Sequence, residues 1–152
     1  MTETRARKVY AIERGTVIDH IPSPMALKVV EILGVKQEGI LTVGLNFNSA
    51  KLGKKDIVKV ENLKLTADTT DRLALIAPTA TINIIEDGKV IEKRKIHVPR
   101  EFKGMLRCPN PKCVTNVEGV TSHFVREGPE DKPEVRCHYC ERRYKNPVDL
   151  VS

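Results

Sequence analysis

Gly15-Thr-Val-Ile-Asp-His-Ile-Pro22-Ser-Pro24 is the stretch that sets the architecture. Thr16, Val17, Ile18 and Ile21 are β-branched and favour an extended strand. Pro22 ends it, because proline has no N–H to give to a ladder. Ser23 followed by Pro24 is a helix-start signal, with Ser23 as the cap. Met25, Ala26, Val29, Val30 and Leu33 then recur at helical spacing, and Gly34 closes the helix. Outward from this strand–helix junction, Ile40–Asn46 reads as a second strand, Asn48–Lys55 as a polar loop and Asp56–Glu61 as a third strand. Thr66 or Asp68 starts a second helix, which carries Leu73, Leu75 and Ile76 and must stop before Pro78. Thr81–Ile85 is a fourth strand, Asp87-Gly88 a two-residue hairpin turn, and Lys89–Ile96 an edge strand.

The order β-α-β-β-α-β with one added hairpin strand is the split βαβ, or ferredoxin-like, arrangement. The fold class is therefore α+β, with an antiparallel sheet and both helices on one face. The other face needs cover. Ile82, Ile84 and Ile85 make the fourth strand apolar on both sides, and a second copy of the chain, across the sheet or at its edge, would supply that cover. Pro99–Gly104 reads as a linker, dividing the chain into 1–98 and 99–152, the latter a small all-β, rubredoxin- or ribbon-like domain.

Apolar residues make up 40% of the 152 and charged residues 30%, as expected of a soluble globular protein. With no Trp, three Tyr and three Phe, the core must rest on Val, Ile and Leu. No apolar run reaches the roughly 18 residues of a membrane span, and the opening MTETRARKVY lacks a secretory signal. A cytoplasmic protein without a membrane partner is expected. Net charge is +6, which permits nucleic-acid binding. The charge is dispersed, with 16 basic and 12 acidic residues up to position 98 and 10 and 8 beyond it. Interleaved acids and few aromatics for base stacking argue against that reading. Lys93-Arg94-Lys95 is either an anion site or a solvated strand end.

The four cysteines form two pairs, Cys108-x4-Cys113 and Cys137-x2-Cys140, with 23 residues between them. Two short turns that each aim two thiolates at one point suit a tetrahedral zinc ion. Pro109 and Pro111 stiffen the first turn, and Lys112, Arg142 and Arg143 are placed to offset its negative charge. Two disulfides are disfavoured in a chain lacking a signal; an iron–sulfur centre is the main competitor. His123 and His138 are available as substitutes, but four thiolates already fill the shell. Such a site leaves no position for a reactive water, so its role is structural. Nothing else suggests catalysis. There is no phosphate-binding glycine loop of either common type, and no histidine sits in a recognisable base motif. Asp19-His20 is the one pair that looks placed, as a ligand-binding pair or as a surface cap.

Arg14–Pro22, Gly44–Asn46, Gly53–Asp56, Lys59–Asn62, Leu73–Leu75, Ala77-Pro78, Ala80-Thr81 with Asn83, and the four-cysteine tail occur in order. Together they resemble the regulatory chain of aspartate carbamoyltransferase over nearly the whole length. The resemblance implies a non-catalytic subunit in pyrimidine biosynthesis, with a zinc domain that docks on a separate catalytic chain and a regulatory dimer within a larger hetero-oligomer. It also implies allosteric nucleotide effectors, ATP, CTP and UTP. The implied pocket comprises Val9, Ala11, Ile12, Val17, Asp19, His20, Lys55, Lys59, Asn83, Ile85, Val90 and Lys93. Within it, Lys93 and His20 would meet the triphosphate, Asp19 the ribose, and Lys59 a base or ribose oxygen; backbone groups near Ile12 would read the base edge. The chain departs from the family pattern at Tyr10, Ile76 and Gly88 and lacks one residue before Ile40. The sign of each effector's action therefore stays open. A zinc-ribbon nucleic-acid binder and a ligand-free scaffold are the alternatives.

Overall fold

The computed structural model of the chain describes residues 12–34 and 39–151. Strands β1 (Gly15–Pro22), β2 (Leu41–Ser49), β3 (Gly53–Glu61), β4 (Thr81–Glu86) and β5 (Lys89–Lys95) form one sheet in the order β2-β3-β1-β4-β5. Every neighbouring pair is antiparallel. Helices α1 (Ala26–Leu33) and α2 (Ala67–Ile76) complete the ferredoxin-like pattern, and β5 extends it at the β4 edge. Thr16, Ile18, Val58, Val60 and Ile82 are buried on the helix side of the sheet. Ile18, Val58, Val60 and Ile82 pack with Ala26 and Val29 of α1 and Leu73 to Ile76 of α2, while Thr16 donates to the Leu63 carbonyl at 2.7 Å.

The helix ends show which sequence signals were obeyed. Thr66 caps α2: its side-chain oxygen accepts from the Thr69 N–H at 3.1 Å. The helix stops at Ile76, two residues before Pro78. Gly34 ends α1 in the left-handed conformation, as its position suggested. At the other end of α1 the reading fails. Ser23 donates instead to Asn46 Oδ1 at 2.6 Å, and residues 23–25 form a turn closed by Met25 N–H on the Pro22 carbonyl. The helix begins at Ala26, whose N–H is taken by Asp56 Oδ2 at 3.1 Å. The acceptor lies thirty residues away on β3, and local sequence could not reveal it.

The polar stretch 48–55 is likewise not a loop. β2 runs on to Ser49 and β3 starts at Gly53, so only residues 50–52 turn, tied by Leu52 N–H to Ser49 Oγ at 3.2 Å. β2 bulges between Gly44 and Phe47. A Cβ at Gly44 would collide with the Phe47 ring, so glycine there lets that ring fold back. Asp87 and Gly88 both have positive φ and close the β4–β5 hairpin as expected.

The C-terminal sheet has the order β6-β7-β8-β9, from β6 (Glu101–Lys103), β7 (His123–Glu127), β8 (Glu134–Cys137) and β9 (Arg143–Tyr144). The expected linker is thus partly a strand: β6 pairs with β7, and Phe102 is fully buried against Phe124 and Val135. A short helix, α3 (Val114–Val117), follows Cys113, and a 3-10 turn, Pro147–Leu150, touches α2. One hydrophobic core runs through both sheets, with Ile96 and Val98 at the junction. Among the described residues no helix is long and apolar enough to cross a membrane.

Candidate functional site

Antiparallel register places Lys59 of β3, Val17 of β1, Asn83 of β4 and Lys93 of β5 in one row across the sheet. Paired residues project to the same side. Because Ile18 and its partners Val58 and Ile82 face the helices, this row faces away from them. That side, which no helix among the described residues covers, holds a cavity of about 890 Å³. Val17, Ile57 and Ile85 give it an apolar floor, and Asp19, Lys55, Lys59 and Asn83 give it polar walls, with Val90 at the β5 margin. Lys93, opposite Asn83, continues the row beyond that margin.

Asp19 and His20 sit where β1 bulges, between Ile18 and Ile21, and His20 has positive φ. Asp19, two residues on from Val17 and paired with Thr81 of β4, projects to the same side of the sheet, and its carboxylate lines the cavity with Lys55 Nζ 3.0 Å away. The same carboxylate accepts from the His20 N–H at 2.6 Å, and the His20 ring lies 3.9 Å from it through Nδ1. The His20 ring meets Thr81 Oγ1 at 2.9 Å through Nδ1. Burial lowers the His20 pKa below its ordinary value; Asp19 opposes this, while Lys55, Lys51 and Lys93 add to it. Burial likewise lowers the Lys59 pKa, against the pull of Asp19.

Of the residues the resemblance pointed to, Val17, Asp19, Lys55, Lys59, Asn83, Ile85 and Val90 line the cavity. His20 and Lys93 flank it electrostatically. Ile12 is buried just ahead of β1 and does not line it. Val9 and Ala11 lie outside the described residues. Phe47, Asn48, Ser49, Ala50 and Ile57 also line the cavity and were missed. The signal was Gly44 ahead of Phe47, which marks a bulged hairpin rather than a loop.

The four cysteine sulfurs lie within 4.8 Å of one another. Cys108 Sγ is 3.7 Å from Cys140 Sγ, and Cys113 Sγ is 3.7 Å from Cys137 Sγ. A disulfide would need about 2.05 Å, whereas a tetrahedron with metal–sulfur bonds of about 2.3 Å has edges of about 3.8 Å. The spacing therefore fits one metal ion and leaves no room for a multi-iron cluster with its own sulfides. The first pair is braced by Asn116, whose amide donates to the carbonyls of Cys108 and Asn110 at 2.8 and 2.7 Å. The second is closed by Glu141 N–H on the Cys137 carbonyl. Burial raises the Cys108 and Cys137 thiol pKa values, so a cation is needed to hold all four as thiolates. His123 and His138 stack on each other at 4.6 Å, beside the second pair and not within the ligand set. Arg143 is turned to Glu127 at 3.3 Å.

Residues 7–97 match the family model described as the aspartate carbamoyltransferase regulatory chain, allosteric domain, and residues 100–148 match the metal-binding domain of the same chain. The chain belongs to the aspartate carbamoyltransferase regulatory chain family. Among curated relatives of that name, one from Pyrococcus horikoshii is 51% identical over 150 residues, covering 95% of this chain and 97% of its own. One from Thermococcus sibiricus is 51% identical, covering 89% of each chain. One from Tolumonas auensis is 43% identical, covering 97% of each. A regulatory chain is a non-catalytic subunit, in agreement with the absence of a nucleophile or base constellation in the sequence. The α+β fold, the allosteric domain and the four-cysteine domain fitted to one structural zinc belong together in this family. These likenesses give no support to the nucleic-acid-binding alternative.

Proposed function

We propose that residues 1–98 bind nucleoside triphosphates on the uncovered sheet face, and that residues 99–152, held by zinc on Cys108, Cys113, Cys137 and Cys140, grip the catalytic chain of aspartate carbamoyltransferase in the cytoplasm. The observation that carries the first part is the Lys59–Val17–Asn83–Lys93 row with Asp19 and Lys55 beside it. An apolar floor suits a base, Asp19 a ribose hydroxyl, and the Lys93–His20 side a triphosphate, where charge-assisted hydrogen bonds are strong. CTP, ATP and UTP share these three parts. Exposed Val90 and Ile91 on edge strand β5, and Leu41 and Leu45 on the opposite edge strand β2, support a regulatory dimer in which a second copy covers an edge.

Control then follows from linkage. An effector that prefers one quaternary state shifts the equilibrium only by its difference in affinity, about 1.4 kcal/mol per site for a tenfold preference. The zinc domain, fixed to the catalytic chain, passes the shift on as rigid-body motion.

Calorimetric titration of the full chain with CTP and ATP tests the pocket. Binding is expected in the wild-type protein, and Lys93→Ala should weaken it about tenfold or more, the loss of one hydrogen bond to a charged group. Absence of heat at millimolar nucleotide, with Lys93→Ala no different, would remove the effector reading.

Proton linkage gives a second check. In the free chain the His20 pKa is depressed, so the ring is neutral near pH 7. A triphosphate among Lys51, Lys55 and Lys93 would raise it. The bound pKa then exceeds the free one. The extra affinity is fully present below the free pKa and is lost as pH rises through the bound pKa. Tighter binding toward pH 6, with proton uptake seen as a buffer-dependent heat, is expected. A buffer dependence that His20→Gln leaves unchanged would mean that phosphate does not reach His20.

A further inference from the structure

We propose that Thr115, Asn110 and Tyr144 act as positioning residues for the metal, each donating a side-chain hydrogen bond to a different thiolate and so setting how tightly the ion is retained. This rests on the metal-site reading above and adds to it a set of side chains that ligand spacing does not reveal. Thr115 Oγ1 lies 3.2 Å from Cys113 Sγ. Tyr144 OH lies 3.5 Å from Cys108 Sγ. Asn110 is buried, and its Oδ1 accepts from the Lys112 N–H at 3.1 Å, which leaves the N–H groups of its amide as the donors available to Cys140 Sγ.

The direction of each bond is fixed by chemistry. A metal-bound thiolate carries no proton, so its sulfur can only accept. The threonine and tyrosine hydroxyls must then be the donors. These bonds supplement the backbone, which already gives each sulfur an N–H from two residues on: Asn110 to Cys108, Thr115 to Cys113, Tyr139 to Cys137 and Arg142 to Cys140. Backbone donors come with the turn and are indifferent to sequence. The three side-chain donors are not. They come from three separate elements: Asn110 from the first cysteine turn, Thr115 from α3 and Tyr144 from β9. Tyr144 is held in place by Phe124, with ring centroids 6.3 Å apart. Metal retention is thereby coupled to the seating of β9 and α3 on the small sheet.

A donor on a thiolate lowers the energy of its lone pairs and spreads the negative charge of a four-sulfur centre. Loss of such a partner ordinarily costs about 10- to 100-fold in metal affinity. The test uses the full chain loaded with zinc, and in parallel with cobalt(II). Thr115→Val, Tyr144→Phe and Asn110→Asp each remove one donor at nearly constant shape; the last also sets a carboxylate against the sulfur. Each is expected to release zinc to a chromogenic chelator about tenfold faster than wild type, Asn110→Asp fastest. The sulfur-to-cobalt charge-transfer band should move to longer wavelength in all three, because the lone pairs rise. Thr115→Ser keeps the hydroxyl and should match wild type in both readouts. Faster release without a band shift would make these residues ordinary packing and overturn the inference. Variants indistinguishable from a normally loading wild type would overturn it alone. A wild-type chain that takes up no metal would overturn the metal-site reading as well.

Discussion

Stripping the metal from the full chain is expected to unfold residues 99–151 while residues 15–95 keep their structure. The second sheet is small and its interior is built around the cysteines: Cys108, Cys113 and Cys137 are buried beside Phe102, Phe124 and Val135. Without an ion, the four sulfurs, paired at 3.7 Å and all within 4.8 Å of one another, would have to share that space as thiols or as thiolates with no cation to neutralise them. Apparent binding energies of about 10–16 kcal/mol for structural zinc in small domains exceed what so short a core supplies. The first sheet has its own interior, with Ile18, Val29, Val58, Leu73 and Ile82 almost wholly inaccessible. It should survive, apart from its seam with the 3-10 turn at 147–150. Amide hydrogen exchange after chelation should show protection lost in β6–β9 and retained in β1, β3 and β4. In complex with the catalytic chain, the same treatment should release that partner, read as a fall in sedimenting mass. An assembly that kept its mass after the metal had left would reduce the cluster to a local staple with no part in docking.

The two halves were legible to different depths, for one physical reason. Elements that carry their own signal were readable: β1 from its β-branched run, α2 from Thr66 and Pro78, the β4–β5 hairpin from Asp87-Gly88, and the metal centre from cysteine spacing. Features made by distant partners were not. Nothing near Ser23 says that Asp56 will cap α1 in its place. Nothing in the polar stretch 48–55 says that it will pair, because pairing there depends on a bulge fixed from β3. Phe102 sits between charged neighbours and reads as linker, yet it is fully buried because β7 and β8 bring Phe124 and Val135 against it. The pocket shows the same division. Its β1, β3 and β4 residues follow from strand alternation once register is known, whereas Phe47 and its neighbours enter only through the hairpin fold. The thiolate donors Thr115, Asn110 and Tyr144 are close in space to sulfurs and carry no spacing rule at all.

Asp56→Ala is expected to be the most damaging single substitution in the first domain outside its apolar core. Asp56 is fully buried, and each of its oxygens takes one backbone N–H: Oδ2 that of Ala26 at 3.1 Å, Oδ1 that of Asn46 at 3.0 Å. The first bond satisfies an otherwise unpaired donor at the start of α1, where the helix dipole favours negative charge. The second holds the β2 bulge, where Asn46 has positive φ and Phe47 turns toward the cavity. Hydrogen bonds to a charged group contribute about 1.5–3 kcal/mol each, and a buried donor left unpaired carries a comparable penalty. Partial relaxation and entering water would reduce the sum, which leaves about 3 kcal/mol. At about 4–8 °C per kcal/mol for a domain of about 100 residues, the first-domain transition should fall by about 12–24 °C. Asp56→Asn should be nearly as severe. Both partners are donors, so an amide can serve only one and must point its own N–H groups at the other. Because one carboxylate sets both the helix start and the cavity wall, nucleotide affinity should fall in these variants even at temperatures where the domain remains folded. Were the substitutions to lower the melting temperature by the expected amount and leave nucleotide affinity unchanged, the β2 bulge and Phe47 would have no part in the effector pocket.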